Sequence, residues 1–234
     1  MSDWAPKRFW TSVQVEAAEG GFTVTLDGRN VRTPGKALLT VPTMEMAQHI
    51  ASEWEAQTER VDPRTMPWTR SANSAIDKLS VQRREVEDHL IGYAGTDLLC
   101  YRADGPLGLV DQQAAGWDPI LGFVENAFHV RLKTTSGVMP VAQTDESLSA
   151  LRNVMTPMSD FAITGFHDIV TLSGSYILAV AVALDEVDTQ AAWALSRIDE
   201  EWQNEQWGRD EEADAQAETK RAAFVHAARF FKSA

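Results

Sequence analysis

The sequence predicts an α+β protein, with N-terminal antiparallel strands and covering helices followed by a C-terminal α-helical bundle. Over the first forty residues apolar and polar side chains alternate, which is the period of a half-buried strand. From Thr144 onward only the 3.6-residue period of helices appears. At 234 residues, 44% apolar and 24% charged, the chain has the composition of an ordinary globular protein and not of a disordered, collagenous or disulfide-framed one. The patterns divide it into an N-terminal α/β domain over 1–104 and a C-terminal helical domain over 105–234, with the boundary anywhere from 60 to 110.

Taken in order, Phe9, Thr11, Val13 and Val15 face one way and Trp10, Ser12 and Gln14 the other. Phe22, Val24 and Leu26 repeat the pattern after Gly20-Gly21. Asp27-Gly28 is a two-residue hairpin signal, with Gly28 the structural residue that a primed turn requires. Thr33-Pro34-Gly35 interrupts the next strand before Leu38 to Val41, so the opening is an antiparallel meander. After Pro42 the period becomes helical, with Met46, Ala47, Ile50, Ala51 and Trp54 on the inner stripe and Gln48, Glu53 and Glu55 on the polar side. Trp54 is therefore assigned a structural role. Val61 to Arg70 reads as a crossing loop, with Trp68 ambiguous in it, and Ser71 to Tyr93 as two helices broken near Ser80. Leu98 to Arg102 is predicted to return to the first sheet. Asp118-Pro119 reads as an N-cap before a first-turn proline, and Val130, Leu132 and Thr134 as an isolated strand. The bundle then comprises Leu148 to Thr156, an apolar central helix over Phe161 to Leu184, Thr189 to Trp207 ended by Gly208 as its structural stop, and Glu211 to Phe231.

The formal charge is −13 with a pI near 4.8, which repels polyanions and makes nucleic acid a poor partner. The single cysteine, Cys100, forms no intramolecular disulfide and reads as a small buried hydrophobe, in keeping with a reducing compartment. The first ten residues carry no apolar or Arg/Ser-rich targeting stretch, and the longest apolar run, Tyr176 to Leu184, is far below the ~18 to 20 residues that span a bilayer. A cytoplasmic protein without membrane insertion is expected.

Enzyme signatures fail in turn. Gly28 and Gly35-Lys36 have six residues between them where a phosphate loop has four, and Ala37 replaces its Ser/Thr, so nucleotide binding is not expected. His49, His89, His129, His167 and His226 show no metal-ligand spacing. No metal and no cofactor are expected. His167-Asp168 is the one candidate dyad, but neighbours on a helix diverge by about 100° and are not expected to orient each other. Leu172-Ser173-Gly174-Ser175 lies in the apolar central helix, where small residues serve close packing.

The stretch A-L-S-R-I-D-E-E-W-Q-N-E-Q-W-G-R-D-E-E-A at 194 to 213 combines tryptophans with a run of carboxylates. On a continuous helical wheel Leu195, Ile198 and Trp202 share the core-facing stripe, which Asp199 and Gln206 interrupt. Trp193 and Trp207 fall on the far side with Arg197, Glu200 and Asn204. Aromatic residues on a face otherwise polar mark a contact surface, and the candidate contact residues are Asp199, Glu200, Trp202, Gln206, Trp193, Trp207 and Glu205. The bland alternative is that both faces are buried and Asp199 is tied inside the bundle.

Several motifs together resemble a known family: K-R-F-W at 7–10, G-G-F-T-V-T-L-D-G-R at 20–29, V-R-T-P at 31–34, Glu53-Trp54, M-P-W-T-R-S-A-N-S-A-I-D at 66–77, G-T-D-L-L-C-Y-R at 95–102, Trp117-Asp118-Pro119, and S-R-I-D-E-E-W-Q-N-E-Q-W-G at 196–208. They resemble the assembly chaperone of mitochondria and alpha-proteobacteria that captures the alpha subunit of the ATP synthase catalytic sector. The resemblance implies two domains, the second an orthogonal helical bundle, and no catalytic activity. It implies binding of free alpha subunit of the F-type ATP synthase, which is kept from aggregating until it pairs with beta. It places the family's functionally sensitive acidic position at Asp199, where mitochondrial members carry Glu. It implies a bacterial, cytoplasmic member, the eukaryotic relatives residing in the mitochondrial matrix. The competing expectation is a hydrolase-like enzyme whose active site forms only in tertiary structure.

Overall fold

The computed structural model describes residues 7–137 and 139–234; Trp4 and the rest of the first six residues lie outside them. The fold is α+β, as the patterns predict. The chain divides into two compact units. The first holds the chain up to Arg83 together with 159–165 and 229–234, and the second holds 84–158 and 166–228.

In the first unit, β1 (Val13–Ala18) pairs antiparallel with β2 (Gly21–Leu26), and β2 also carries β3 (Arg29–Asn30) and β4 (Thr40–Val41). Asp27 and Gly28 both adopt positive φ, which is the backbone of the hairpin turn that Asp-Gly signals. β2 departs from simple alternation. Being the central strand it is covered on both faces, so Thr23 and Thr25 are buried with Val24 and Leu26. Their hydroxyls are satisfied there, Thr23 Oγ1 donating to the Leu39 carbonyl and Thr25 Oγ1 to Glu16 Oε1. Helix α1 (Met44–Glu55), capped by Thr43, lays Met46, Ala47 and Ile50 on this sheet. Trp54 packs edge-on against Trp10 at 5.3 Å, and the Arg8 guanidinium sits over the Trp10 ring at 5.5 Å.

Glu53, assigned by its periodicity to the polar side, is buried. Its carboxylate accepts from the Trp68 and Thr69 amides at 2.6 and 2.8 Å and from Thr69 Oγ1 at 2.7 Å, capping α2 (Pro67–Ser74), which has no side-chain cap of its own. Burial pushes its pKa up against these hydrogen bonds. The expected crossing loop is thus partly helical: a 3-10 turn at Pro63–Thr65 and the first residues of α2 occupy it. Trp68 is a core residue there, stacked on His49 at 4.1 Å and packed against Phe230 at 5.6 Å. The break expected near Ser80 is a π-helical stretch, Ala75–Leu79, before α3 (Ser80–Gly95).

The second unit corrects four sequence readings. Leu98–Cys100 is a 3-10 turn, and the residues after it form β5 (Tyr101–Arg102), which pairs parallel with β6 (Thr135–Ser136) and not with the first sheet. Residues 130–134 accordingly form no strand. Asp118-Pro119 is not a helix start, because α4 runs unbroken over Leu107–Phe128 with Pro119 inside it. The central apolar helix is two helices, α6 (Asp160–Ser173) and α7 (Tyr176–Ala183), separated at Gly174 with positive φ. Ser173-Gly174-Ser175 therefore breaks and caps: Ser175 Oγ accepts from the Leu178 amide. Every residue from Tyr176 to Val182 is buried. The remaining helices are α5 (Asp145–Asn153), α8 (Thr189–Leu195), α9 (Ile198–Trp207) and α10 (Glu211–Lys232). Acids open α10 and Arg229 and Lys232 close it, which matches the helix dipole.

Asp97 ties this unit together. Fully buried, it accepts from the Leu99 amide at 3.0 Å, Ser175 Oγ at 2.8 Å and the Ile177 amide at 3.0 Å, joining the turn at 98–100 to the start of α7. Burial outweighs these bonds and holds its pKa at about 6, above the ordinary 3.8. Nearby Cys100 is buried, its thiol pushed up to about 12 chiefly by desolvation, which removes thiolate reactivity.

Two outcomes follow. A carboxyl whose folded pKa is raised contributes stability that is full below 3.8 and is lost as the pH rises through about 6. The melting temperature of the wild type should therefore fall across that window relative to Asp97→Asn, and parallel profiles of Tm against pH would contradict the assignment. Trp54→Arg should cost about 2 to 4 kcal/mol, because it removes half-buried aromatic packing and sets a second cation beside Arg8. Thermal melting checks it, and an unchanged Tm would contradict the packing.

Candidate functional site

The candidate residues lie on α8, α9 and the turn after them, in the second unit. The continuous wheel does not hold, because a turn at Ser196–Arg197 interrupts the helix before α9 begins. Trp193 is consequently buried, packed on Phe224 at 5.5 Å, and does not share a face with Trp207. The Arg197 guanidinium covers the Trp193 ring at 5.7 Å and pairs with Glu200 at 2.7 Å.

What seats α9 is α4. An ideal Cβ on Gly108 would stand 2.6 Å from the Trp202 indole, and one on Gly116 2.8 Å from both Ile198 and Leu195. Two positions without side chains thus let the helices meet. Between them, buried Gln113 donates from Nε2 to Asp199 Oδ1 at 2.6 Å and accepts at Oε1 from the Ala103 amide at 2.8 Å. The second bond fixes the amide so that its donor faces Asp199. Trp117 Nε1 donates to the Leu195 carbonyl at 2.8 Å. Asp199, which sequence reasoning left between a rim and a core position, is half-buried, its partner the neutral Gln113, and no ion pair joins it among the described residues.

Beyond Trp202 the helix emerges. Glu205, Gln206 and Trp207 are exposed, Trp207 to 80%. Gly208 ends α9 with positive φ, and Arg209 then binds Glu201 at 2.6 Å and Asp214 at 3.1 Å. The structure therefore brings Asp199, Trp202 and Gln206 along one side of α9, leaves Glu205 and Trp207 in solvent, and removes Trp193 to the interior. Gly108, Gln113 and Gly116 were missed because the sequence reading started their helix only at Asp118. With α4 correctly begun, two glycines eight residues apart, flanking a glutamine, would have marked a helix-packing face.

Elsewhere, His167 Nδ1 lies 3.0 Å from Asp168 Oδ1, so these neighbours do meet, contrary to the wheel argument, and the His89 ring stands 5.9 Å away. Among the described residues no group of three or more His, Cys, Asp or Glu side chains is arranged to hold a metal ion. The Gly35 amide donates to Asp77 Oδ2 at 2.8 Å, so it is engaged by a carboxylate and not open to a phosphate. No helix of the described residues is long and apolar enough to cross a membrane.

The model of the ATP12 chaperone protein family matches residues 7–125. The chain belongs to that family. It is a chaperone family of ATP synthase assembly. The mitochondrial protein atp12 of Schizosaccharomyces pombe is 27% identical over 219 residues, 88% of this chain and 75% of that protein. The crystal structure of Atp12 from Paracoccus denitrificans superposes with a TM-score of 0.92 at 49% identity, covering 97% of both chains. A point mutant of the same Paracoccus protein gives 0.93 at 49% identity over 99% of both. The matched stretch covers the motifs quoted above from 7–10 to 117–119, and the motif at 196–208 lies beyond it.

The α4–α9 contact makes a prediction. Asp199→Asn keeps an acceptor for Gln113 and leaves no cation uncompensated, so it should cost below about 1 kcal/mol, whereas Gly108→Ala must displace the Trp202 ring and should cost about 1 to 3 kcal/mol. Thermal melts of the two variants check the order; a larger loss for Asp199→Asn would contradict it.

Proposed function

We propose that this chain binds the free alpha subunit of the F-type ATP synthase catalytic sector in the bacterial cytoplasm and keeps it from aggregating until beta replaces it. It acts by binding, without nucleotide, cofactor or catalytic step. Family membership supports the chaperone class, and the resemblance carried by the quoted motifs together supports the alpha subunit as client. Trp207 carries the reading of α9 as the contact face: a large aromatic exposed to 80% at the end of an acidic helix is the residue type that anchors protein interfaces. Glu205 and Gln206 stand beside it in solvent, Asp199 and Trp202 seat the helix on α4 from its half-buried side, and Glu200 and buried Trp193 brace its start through Arg197.

Isolated alpha subunit diluted from denaturant should scatter far less light when this protein is present near stoichiometric ratio, without ATP. Equal scattering with and without it would contradict the chaperone reading.

A further inference from the structure

Helices α4 and α9 run antiparallel: Gly116 meets Leu195 and Ile198, Gln113 meets Asp199, and Gly108 meets Trp202. As the number rises on α9 it falls on α4. The start of α4 and the end of α9 therefore arrive at one end of the pair. Each carries a large apolar residue in solvent there, Leu107 exposed to 79% and Trp207 to 80%, the two most exposed large hydrophobic side chains among the described residues. Neither fills a core, and their helices are tied together by the Gly108–Trp202 contact one residue from Leu107.

The exposed charge around them is predominantly negative. Asp104 and Asp111 flank the start of α4, and Glu205, Asp210, Glu211 and Glu212 flank the end of α9, all exposed. The one cation of the stretch 203–214, Arg209, is already held by Glu201 and Asp214. Arg102, two residues before Asp104, is likewise held by Asp118, so the nearest cations in these two stretches are engaged by other carboxylates.

We propose that the end of the α4–α9 pair is a docking surface on which Leu107 and Trp207 take aliphatic side chains of a cationic segment of the client, the acidic rim pairing with its lysines and arginines. This rests on the client-binding reading above and names the chemistry of its contact. A second copy of this chain is the poorer occupant, because it would set the same carboxylates against one another. The apolar pair supplies affinity by desolvation, and the rim supplies attraction at long range that salt screens.

The test measures retention of isolated alpha subunit by immobilised full-length protein, for the wild type, for Leu107→Ser/Trp207→Ser, and for Glu205→Gln/Glu211→Gln/Glu212→Gln, with thermal melts and size-exclusion of each. The apolar changes sit on exposed positions and should leave melting unchanged, whereas the charge variant loses two first-turn acids of α10 and should melt slightly lower while staying folded. Retention should weaken at least about tenfold in the apolar double variant. It should weaken severalfold in the charge variant at low salt, with the difference lost at ~0.5 M salt. Wild-type retention matched by both variants would overturn this surface and leave the client assignment standing. No retention even by the wild type would overturn both. A change of oligomeric state in the double variant, with retention unaltered, would assign the patch to self-association and also overturn it.

Discussion

The candidate binding face depends on the close approach of α4 and α9, which two missing side chains permit. Gly108 and Gly116 let Trp202, Ile198 and Leu195 lie against the α4 backbone, and Gln113, fixed by the Ala103 amide, sets the rotation of α9 through Asp199. α9 is held chiefly by its first half, and towards its end Glu205, Gln206 and Trp207 stand in water. The exposed aromatic is thus a consequence of how the helix is seated. Hydrophobic residues scattered singly on a surface need no explanation; Trp207 does, because it stands with Leu107 at the same end of one helix pair.

Two buried carboxylates organise the rest in a similar manner. Glu53 caps α2 from α1, and Asp97 caps α7 from a turn nearly eighty residues earlier. Each satisfies backbone donors that a helix start leaves orphaned, and each carries the penalty of burial, visible as a raised pKa. α9 begins differently: Arg197 gives it no side-chain cap. Its first turn carries Asp199, Glu200 and Glu201 instead, acids that the helix dipole favours there.

Local chemistry was legible in the sequence and distant partnership was not. The Asp27-Gly28 hairpin, the inner stripe of α1, the Gly208 stop and the charged ends of α10 follow from neighbours within a turn or two. Pro119 misled because it reads as a helix start, yet α4 continues through it: Pro119 and Ala115 lie on the exposed side, where the carbonyl that loses its amide partner is open to hydration. Gly174 was hidden inside an apolar run whose periodicity continued on both sides of it. Glu53 read as polar surface because its partners, the start of α2, lie fifteen residues on. At the candidate site the wheel singled out Asp199 and Trp207, but it joined two helices that the turn at Ser196–Arg197 separates, and so misplaced Trp193.

The central claim is that the client meets the end of the α4–α9 pair. Hydrogen–deuterium exchange of this protein alone and in complex with alpha subunit tests it most directly. Protection on binding should concentrate in peptides covering 104–111 and 199–212. Protection confined to other peptides, such as those covering β1, with 104–111 and 199–212 exchanging as in the free protein, would contradict the account.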